Sequence, residues 1–441
     1  MTGAQVSKQN SNWKTRFFTI WTGQQLSLFG SHLAGFALIW WLTESTGSAT
    51  VLAMATLAQL LPGVLLGPFV GALVDRWNRR TVMLVADSTI AVLSAWLAYL
   101  FYAGTLQPWH VYLILGARAL GGAFHWPAMS ASTSLMVPEV QLSRVAGINQ
   151  AMQGILNIAA PPLGALLMAV LPLEAIMGID VVSAAFAIVP LFFFHIPQPV
   201  RQAANEAAGA PGAGGLPSLR TEVMEGLRYV WGWPGLRALL LMAMVINFVF
   251  TPAGSLLPLL VTERFGRGAL ELGWMNSAWG VGVVLGGLLL GVWGGFENKM
   301  LTSLLGLLGM GVGATLVGLS PVTAFVLALG AMLLTGLMNP ITNGPIHAIF
   351  QSEVSPEMQG RVFSVVGSAC SAMAPIGMAI AGPVADRIGV HGWFVLAGVS
   401  CIAMAAVGRM SPTVMSLGDG RKAQAVEPAA LVPAAEGAGA D

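Results

Sequence analysis

The sequence predicts an all-α membrane protein of twelve transmembrane helices, arranged as two six-helix halves with both termini in the cytoplasm. Three observations predict it. Hydrophobic residues make up 56% of the 441-residue chain and charged residues only 9%, against about a quarter charged in a soluble domain, so most of the surface must face something other than water. Apolar stretches of roughly 20 residues, the length that crosses a bilayer, recur along the whole chain. The second set of these stretches also matches the first at a nearly constant offset.

The first set lies near 17–42, 48–73, 81–103, 108–133, 145–169 and 175–195, and the second near 237–261, 270–292, 300–318, 322–348, 362–384 and 391–410. Residues 1–196 form the first half and 235–410 the second. Residues 197–234 form a cytoplasmic linker, whose stretch "RQAANEAAGAPGAGGLPS" (201–218) is too rich in Ala, Gly and Pro to order itself. The tail, 411–441, reads the same way. Within the linker, Leu219, Val223, Leu227 and Val230 share one helical face, and Arg220, Glu222, Glu225 and Arg228 stay polar, which predicts a short helix on the membrane surface. The first apolar run has a cationic flank but no small-residue cleavage site after it, so it reads as a retained helix and not a signal peptide.

Orientation follows from the basic residues, which favour the cytoplasmic side. With the N-terminus inside, sixteen of the 20 Lys and Arg residues fall in inner segments; only Arg264, Arg267 and Arg387 fall outside, and Arg118 lies within a span. The internal repeat supports the division. "TESTGS" (43–48) faces "TERFGR" (262–267), Gly63 and Gly67 face Gly282 and Gly286, and "VPEVQLSRV" (137–145) faces "SPEMQGRV" (355–362). Six spans return the chain to the same side, so the repeat is parallel, about an axis along the membrane normal. Gly63, Gly67 and Gly71 form a small-residue ridge expected to pack closely against another helix.

Charge is concentrated in "GALVDRWNRR" (71–80), between the second and third spans. Its arginines could simply pin a cytoplasmic loop, but that leaves Asp75 and the glycines unexplained. The segment resembles the loop signature of the major facilitator superfamily, Gly-x-x-x-Asp-Arg-x-x-Arg-Arg, carried here by Gly71, Asp75, Arg76, Arg79 and Arg80. Residues 10–410 further resemble the macrolide-efflux branch of its drug:proton antiporters. That likeness rests on "NWKTRFFTIWTGQQLS" (12–27), "LTESTGSATVLAMA" (42–55), "RALGGAFHWPA" (118–128), "GRVFSVVGS" (360–368) and "ADRIGVHGWF" (385–394). The resemblance implies a cytoplasmic latch in which Asp75 and the arginines hold the halves together when the cavity opens outward. The equivalent "GGFENKML" (294–301) keeps Asn298 and Lys299 but lacks the aspartate, so one half carries the principal latch.

Two further signatures depart from the family pattern. Arg118 and Gly122 match its fourth-span motif, with Gly121 where a polar residue is common. "APPLGA" (160–165) resembles the fifth-span antiporter motif, with alanines at its outer glycines, and Ala160, Pro161 and Gly164 are its expected helix-packing residues. An arginine inside a span is costly unless paired or hydrated, which makes Arg118 a functional candidate, or else a structural bridge to a neighbouring helix.

Polar side chains four or seven apart share a helical face. Gln25 and His32 do so with Phe29 between them, as do Asn149, Gln153 and Asn157, then Asn247, Thr251 and Ser255, then Asn339, Asn343 and His347. Each stripe could be helix-to-helix hydrogen bonding. The resemblance places four of the five stripes, including Arg118 and His125, on spans that line a central cavity, so these residues are the candidate substrate wall. Amides, hydroxyls and aromatics with few charges suit a large amphipathic solute. Acidic residues within spans are scarce: Asp87 is expected to support the latch region, and Asp180, Arg118 and His125 are the candidates for proton coupling, with histidine titrating in the useful range.

The expected function is secondary active export of amphipathic small molecules such as macrolide-like drugs, by alternating access, in exchange for protons. The setting is the plasma membrane of a prokaryote, with the lipid bilayer as partner and the protein acting as a monomer. A native metabolite, such as a siderophore or peptide-like product, is the alternative cargo. An intramembrane enzyme would need a nucleophile with a base or a ligand cluster, and no His-x-x-x-His or Glu-x-x-His pair occurs. A non-transporting assembly factor would show a degraded latch motif, and this one is intact. Cys370 and Cys401 lie within apolar runs, which argues against a disulfide framework or metal site. The net charge of +1 without a long basic run offers nothing to nucleic acid, and no Gly-x-x-x-x-Gly-Lys sequence indicates ATP; no cofactor is expected.

Overall fold

A computed structural model of the chain describes residues 13–194, 196 and 219–418, apart from a few side chains within them. Among the described residues the structure is helical throughout. The long helices are α1 (Trp13–Thr46), α2 (Ala49–Arg76), α3 (Arg79–Tyr102), α4 (Pro108–Met136), α5 (Glu139–Val170) and α6 (Leu173–Phe193), then α7 (Pro234–Ser255), α8 (Ala269–Trp293), α9 (Lys299–Leu319), α10 (Phe325–Glu353), α11 (Pro356–Ile388) and α12 (Val390–Met410). Eleven are long and apolar enough to cross a membrane. The other is α4, whose Arg118, His110 and His125 lower its hydropathy; it packs against α2 and α3 within the first half and completes the six. The even number of crossings puts both described ends on one face, here the terminal face, and the other face is distal.

The short connections between helices follow from local chemistry. Asn78 and Asn298, matched by the repeat, both N-cap the next helix, accepting hydrogen bonds from Thr81 N and Leu301 N. Gly294 ends α8 in the left-handed region at φ 77°, where its N–H donates to Leu290 O.

The two halves meet along two seams related by the repeat, α2 against α11 and α5 against α8. Both are tight toward the distal face because glycine admits the opposing backbone. A Cβ at Gly382 would come within 2.9 Å of Thr50 Cα and Ala53 Cβ, and one at Gly273 within 2.8 Å of Pro162 Cα. One apolar core, drawing on Leu38, Leu52, Leu260, Met275, Phe325 and Trp393, runs across both halves at this end. Toward the terminal face it divides. Phe17, Met83 and Leu191 belong to a first-half core, and Leu236, Met300 and Cys401 to a second-half core. Gly147 and Gly154 on α5, Gly287 and Gly291 on α8, and Gly360 and Gly367 on α11 all face open space there. The halves are therefore closed at the distal face and parted at the terminal face.

That geometry corrects one expectation. A Cβ on Gly63 or Gly67 would meet nothing within 4 Å, so neither is a helix-packing position here, and the side of Gly71 lies outside the described residues. Their counterparts Gly282 and Gly286 do pack: a Cβ on either would overlap the α10 backbone, at Leu333 O and Leu337 O respectively. Ala160, Pro161 and Gly164 pack as well: Ala160 is buried, Pro161 adjoins Gly273 across the seam, and Gly164 lies against Phe36.

The amphipathic linker segment forms a helix, Leu219–Gly232. It rests on the start of α11, where a Cβ at Gly226 would come within 3.0 Å of Arg361 O, Arg361 donates to Glu225, and Val230 is buried. The expected coil 201–218 and the tail beyond Gly418 lie outside the described residues. The first part of that expected tail is helical, Pro412–Met415 and Ser416–Gly418, and buries Val414 and Leu417.

Candidate functional site

Beneath the distal closure, residues from both halves enclose a cavity of about 640 Å3. Helix α1 contributes Ser31, His32 and Phe36, α2 Thr56 and Gln59, α4 Arg118, and α5 Pro161. From the second half come Ser255 at the end of α7, Pro258 in the short turn of helix just beyond it, and Asn276 of α8. The wall combines amides, hydroxyls, an imidazole and one guanidinium with apolar surface, and none of the described residues lining it is acidic. Another cavity of about 610 Å3, bordered by Trp77, Val85, Leu120 and Phe124, is almost wholly apolar and belongs to the first half alone, so rocking of the halves would not open and close it.

Arg118 is paired. Its Nη1 donates to Asp180 Oδ2 at 2.9 Å, and the Asp180 side chain is fully shielded from solvent. Ser94 of α3 donates to the same oxygen at 2.6 Å, and Ser31 of α1 to Oδ1 at 2.9 Å. Four helices of the first half thus converge on one carboxylate, the condition under which a buried ion pair is tolerated. Gly30 makes room for it: a Cβ there would overlap Ser183 Oγ. Arg118 and Ser31 line the cavity and Asp180 does not, so the cavity reaches the carboxylate through these two side chains.

A second buried carboxylate, Asp87 of α3, sits on the terminal side of the first. Gln24 donates to Asp87 Oδ2 at 2.8 Å, and His125 Nε2 lies 3.4 Å from Oδ1. Asp87 therefore joins α1, α3 and α4 in the interior of the half, where it had been expected to support the loop. Gln24 and Ser31, seven residues apart, are the α1 positions that serve the two carboxylates.

The other expected wall residues divide. His32 and Arg118 line the cavity. Asn157, Asn343 and His347 are exposed near mid-span or toward the terminal face, and none of the three lines this cavity. His347 stacks on Phe363 of α11 at 6.3 Å. Asn149 accepts from Trp21 Nε1 at 2.6 Å, a link between α1 and α5. Asn247 and Asn343 donate back to Ala243 O and Asn339 O in their own helices. Thr251, Gln25 and Gln153 are half-buried. Phe29 is on the other side of α1, in a groove against Gly178 and Val182 of α6. Gln59, Thr56 and Asn276 were missed because each is a single polar residue without an i+4 or i+7 partner in its stripe.

At the loop, the side chains of Asp75 and Arg76 lie outside the described residues. The other two arginines bind inside their own half. Arg79 donates to Ala131 O at 2.8 Å, and Arg80 donates to Leu191 O and Phe192 O at the end of α6. Cations at the carbonyl end of a helix satisfy groups the helix leaves open. Through these bonds Arg79 and Arg80 brace the first half in this state; the clasp that the resemblance implies belongs to the state in which the cavity opens outward.

Two parallel six-helix halves, parted at one face around a polar cavity, define the architecture of a membrane transporter. The chain belongs to the Major Facilitator Superfamily, whose profile matches residues 20–266 and 239–433. It is 38% identical over 397 residues to macrolide efflux protein A of Streptococcus pyogenes, covering 90% of this chain and 96% of that protein. It is 35% identical over 332 residues to macrolide efflux protein A of Enterococcus faecalis, covering 75% and 100%. Identity to the multidrug efflux pump Tap of Mycolicibacterium fortuitum is 27%, covering 88% and 93%. Among solved structures, a bacterial homologue of the lysosomal transporter Spinster superposes with a TM-score of 0.63 at 14% identity, covering 93% of this chain and 96% of that one. A mutant form of the nucleoside transporter NupG superposes with 0.65 at 14%, covering 92% and 100%; both show the shared fold.

Proposed function

We propose that the protein exports macrolide-like and other amphipathic drugs across the prokaryotic plasma membrane by alternating access, with the terminal face cytoplasmic. The 38% identity to macrolide efflux protein A across nearly the whole of both chains carries this reading. The cavity supports it: its polar groups are scattered through an apolar wall, which suits a bulky solute with dispersed hydroxyls better than a compact ion. In this state the cavity opens toward the face proposed as cytoplasmic, from which an exporter loads. Proton exchange is assigned to the Asp180–Arg118 pair. A proton taken by Asp180 would break its pair with Arg118 and so change the charge on the cavity wall that Arg118 lines, and loss of that proton would restore the pair, so proton binding and cargo binding are linked through one ion pair. The protein acts as a monomer, since the path runs between its own halves.

Accumulation of a radiolabelled macrolide and a panel of fluorescent drugs in pump-deficient cells tests the proposal. Expression of the protein should lower accumulation, and a protonophore should restore it. Unchanged accumulation across the panel with good expression would pass the reading to a native metabolite such as a siderophore or peptide-like product. Normal efflux in the presence of the protonophore would remove the proton.

A further inference from the structure

One segment that the proposed cycle does not use, "ADRIGVHGWF" at the distal end of α11, contains a charged contact between the halves. Asp386 lies over the first turn of α2. Its Oδ1 accepts from Ala49 N at 2.7 Å, and Oδ2 accepts from Thr50 N at 3.2 Å, from Ser48 Oγ at 3.3 Å and from Thr50 Oγ1. The amides at the start of a helix have no partner within it and carry the positive end of its dipole, so this carboxylate supplies from the second half what the first turn of α2 lacks. Gly382, one turn earlier, brings the helices close enough for the contact.

The spacing is not isolated. Gly382, Asp386 and Arg387 repeat the Gly-x-x-x-Asp-Arg pattern of Gly71, Asp75 and Arg76. One copy ends α11 at the distal face; the other ends α2 at the terminal face. The two helices run antiparallel along one seam, so each carries the pattern where the other begins. Continuing the Thr50–Gly382 register along both brings position 75 to the first turn of α11. The internal repeat does not account for this, because it relates α11 to α5 and α2 to α8. Among the described residues the second seam has no such carboxylate: the repeat sets Met168 opposite Asp386, and the start of α8 is capped by its own Glu271, which accepts from Gly268 N at 3.1 Å.

We propose that Asp386 is a distal gate residue: its bond to residues 48–50 holds the outer side closed and must break each time the cavity opens outward. The inference rests on the alternating-access reading above, and its test needs no drug. In a Cys370→Ser/Cys401→Ser background, Ser255→Cys reports on the cavity through a membrane-impermeant maleimide, applied to intact cells and to inside-out vesicles. With Asp386→Asn, which keeps the shape and removes the charge, labelling from the distal side should rise about three- to tenfold and labelling from the terminal side should fall. Thr50→Val, which removes one donor and keeps the carboxylate, should move both in the same direction by about twofold, and Asp386→Glu should lie between parent and Asp386→Asn. Should Asp386→Asn fail to reach the membrane, Thr50→Val decides. Labelling that matches the parent from both sides overturns the gate and leaves the drug-export reading standing; labelling that responds in a protein that moves no drug keeps the gate and sinks that reading.

Discussion

Arg118 and Asp180, 62 residues apart in sequence, meet at 2.9 Å between α4 and α6, and the carboxylate reaches no solvent. Each charge in isolation would be intolerable at that depth, so the two positions are coupled in folding whatever they do in transport. Arg118→Gln or Asp180→Asn leaves the other charge buried and unpaired, which costs about 3–5 kcal/mol and should appear as a lower melting temperature in detergent. The double variant removes both charges and should recover most of that loss. If the pair also couples the proton, the double variant folds and still fails to concentrate drug against a pH gradient in vesicles. A double variant that pumps normally would reduce the pair to a structural bridge.

Asp87 tests a purely structural role beside it. Gln24→Leu removes a donor 2.8 Å from a buried carboxylate and should cost about 1.5–3 kcal/mol, read as a drop in melting temperature. Gln25→Leu, one position away and outside that contact, should melt close to the parent. Equal losses in the two variants would show that α1 is rotated from the orientation described.

The contrast between Gln24 and Gln25 shows what the sequence alone could yield. Hydropathy and basic-residue bias locate the helices because those signals average over about twenty residues, and lone charges such as Arg118 and Asp180 are conspicuous in an apolar background. Their pairing was not legible, because nothing in a one-dimensional pattern says that positions 62 apart face each other. The stripe Gln25–Phe29–His32 was read one residue out of register with Gln24–Ser31, and a helix turns about 100° per residue, enough to point Phe29 at α6 and leave His32 in the cavity. Asp386 was hidden for another reason. It looks like an ordinary polar residue at the end of a span, and only the approach of α2 across the seam gives it a partner.

The repeat-related glycines should respond unequally to alanine. Gly286→Ala drives a Cβ into Leu337 O, a backbone atom that cannot swing aside, and should cost about 1–3 kcal/mol or more through overpacking. Gly63→Ala and Gly67→Ala meet open space in this state and gain helix propensity, about 1 kcal/mol each in a helix interior. Thermal melts in detergent should therefore fall for Gly286→Ala and hold or rise for the other two. A large fall at Gly63 or Gly67 would mean that the ridge is packed in the resting protein and that the parted seam is misplaced.

Cavity residues and bystanders on the same helix should separate by function instead of stability. Gln59 and Asn276 come from opposite halves and each offers an amide to the enclosed space. A neutral hydrogen bond contributes about 0.5–1.5 kcal/mol, so Gln59→Ala and Asn276→Ala should each raise the concentration for half-maximal efflux about three- to tenfold for compounds that use the amide, with little change for those that do not. Membrane levels and melting should stay near the parent, because neither amide ties one helix to another: Asn276 donates back to Leu272 O within α8 at 3.0 Å. Phe29→Ala, in the α1–α6 groove, removes apolar surface outside the cavity and should leave the ranking of transported compounds unchanged. Dose–response efflux over the same drug panel checks all three at once. If Phe29→Ala reorders the panel and the two amide variants do not, cargo follows the outer groove of the first half, and the space between the halves is not where it binds.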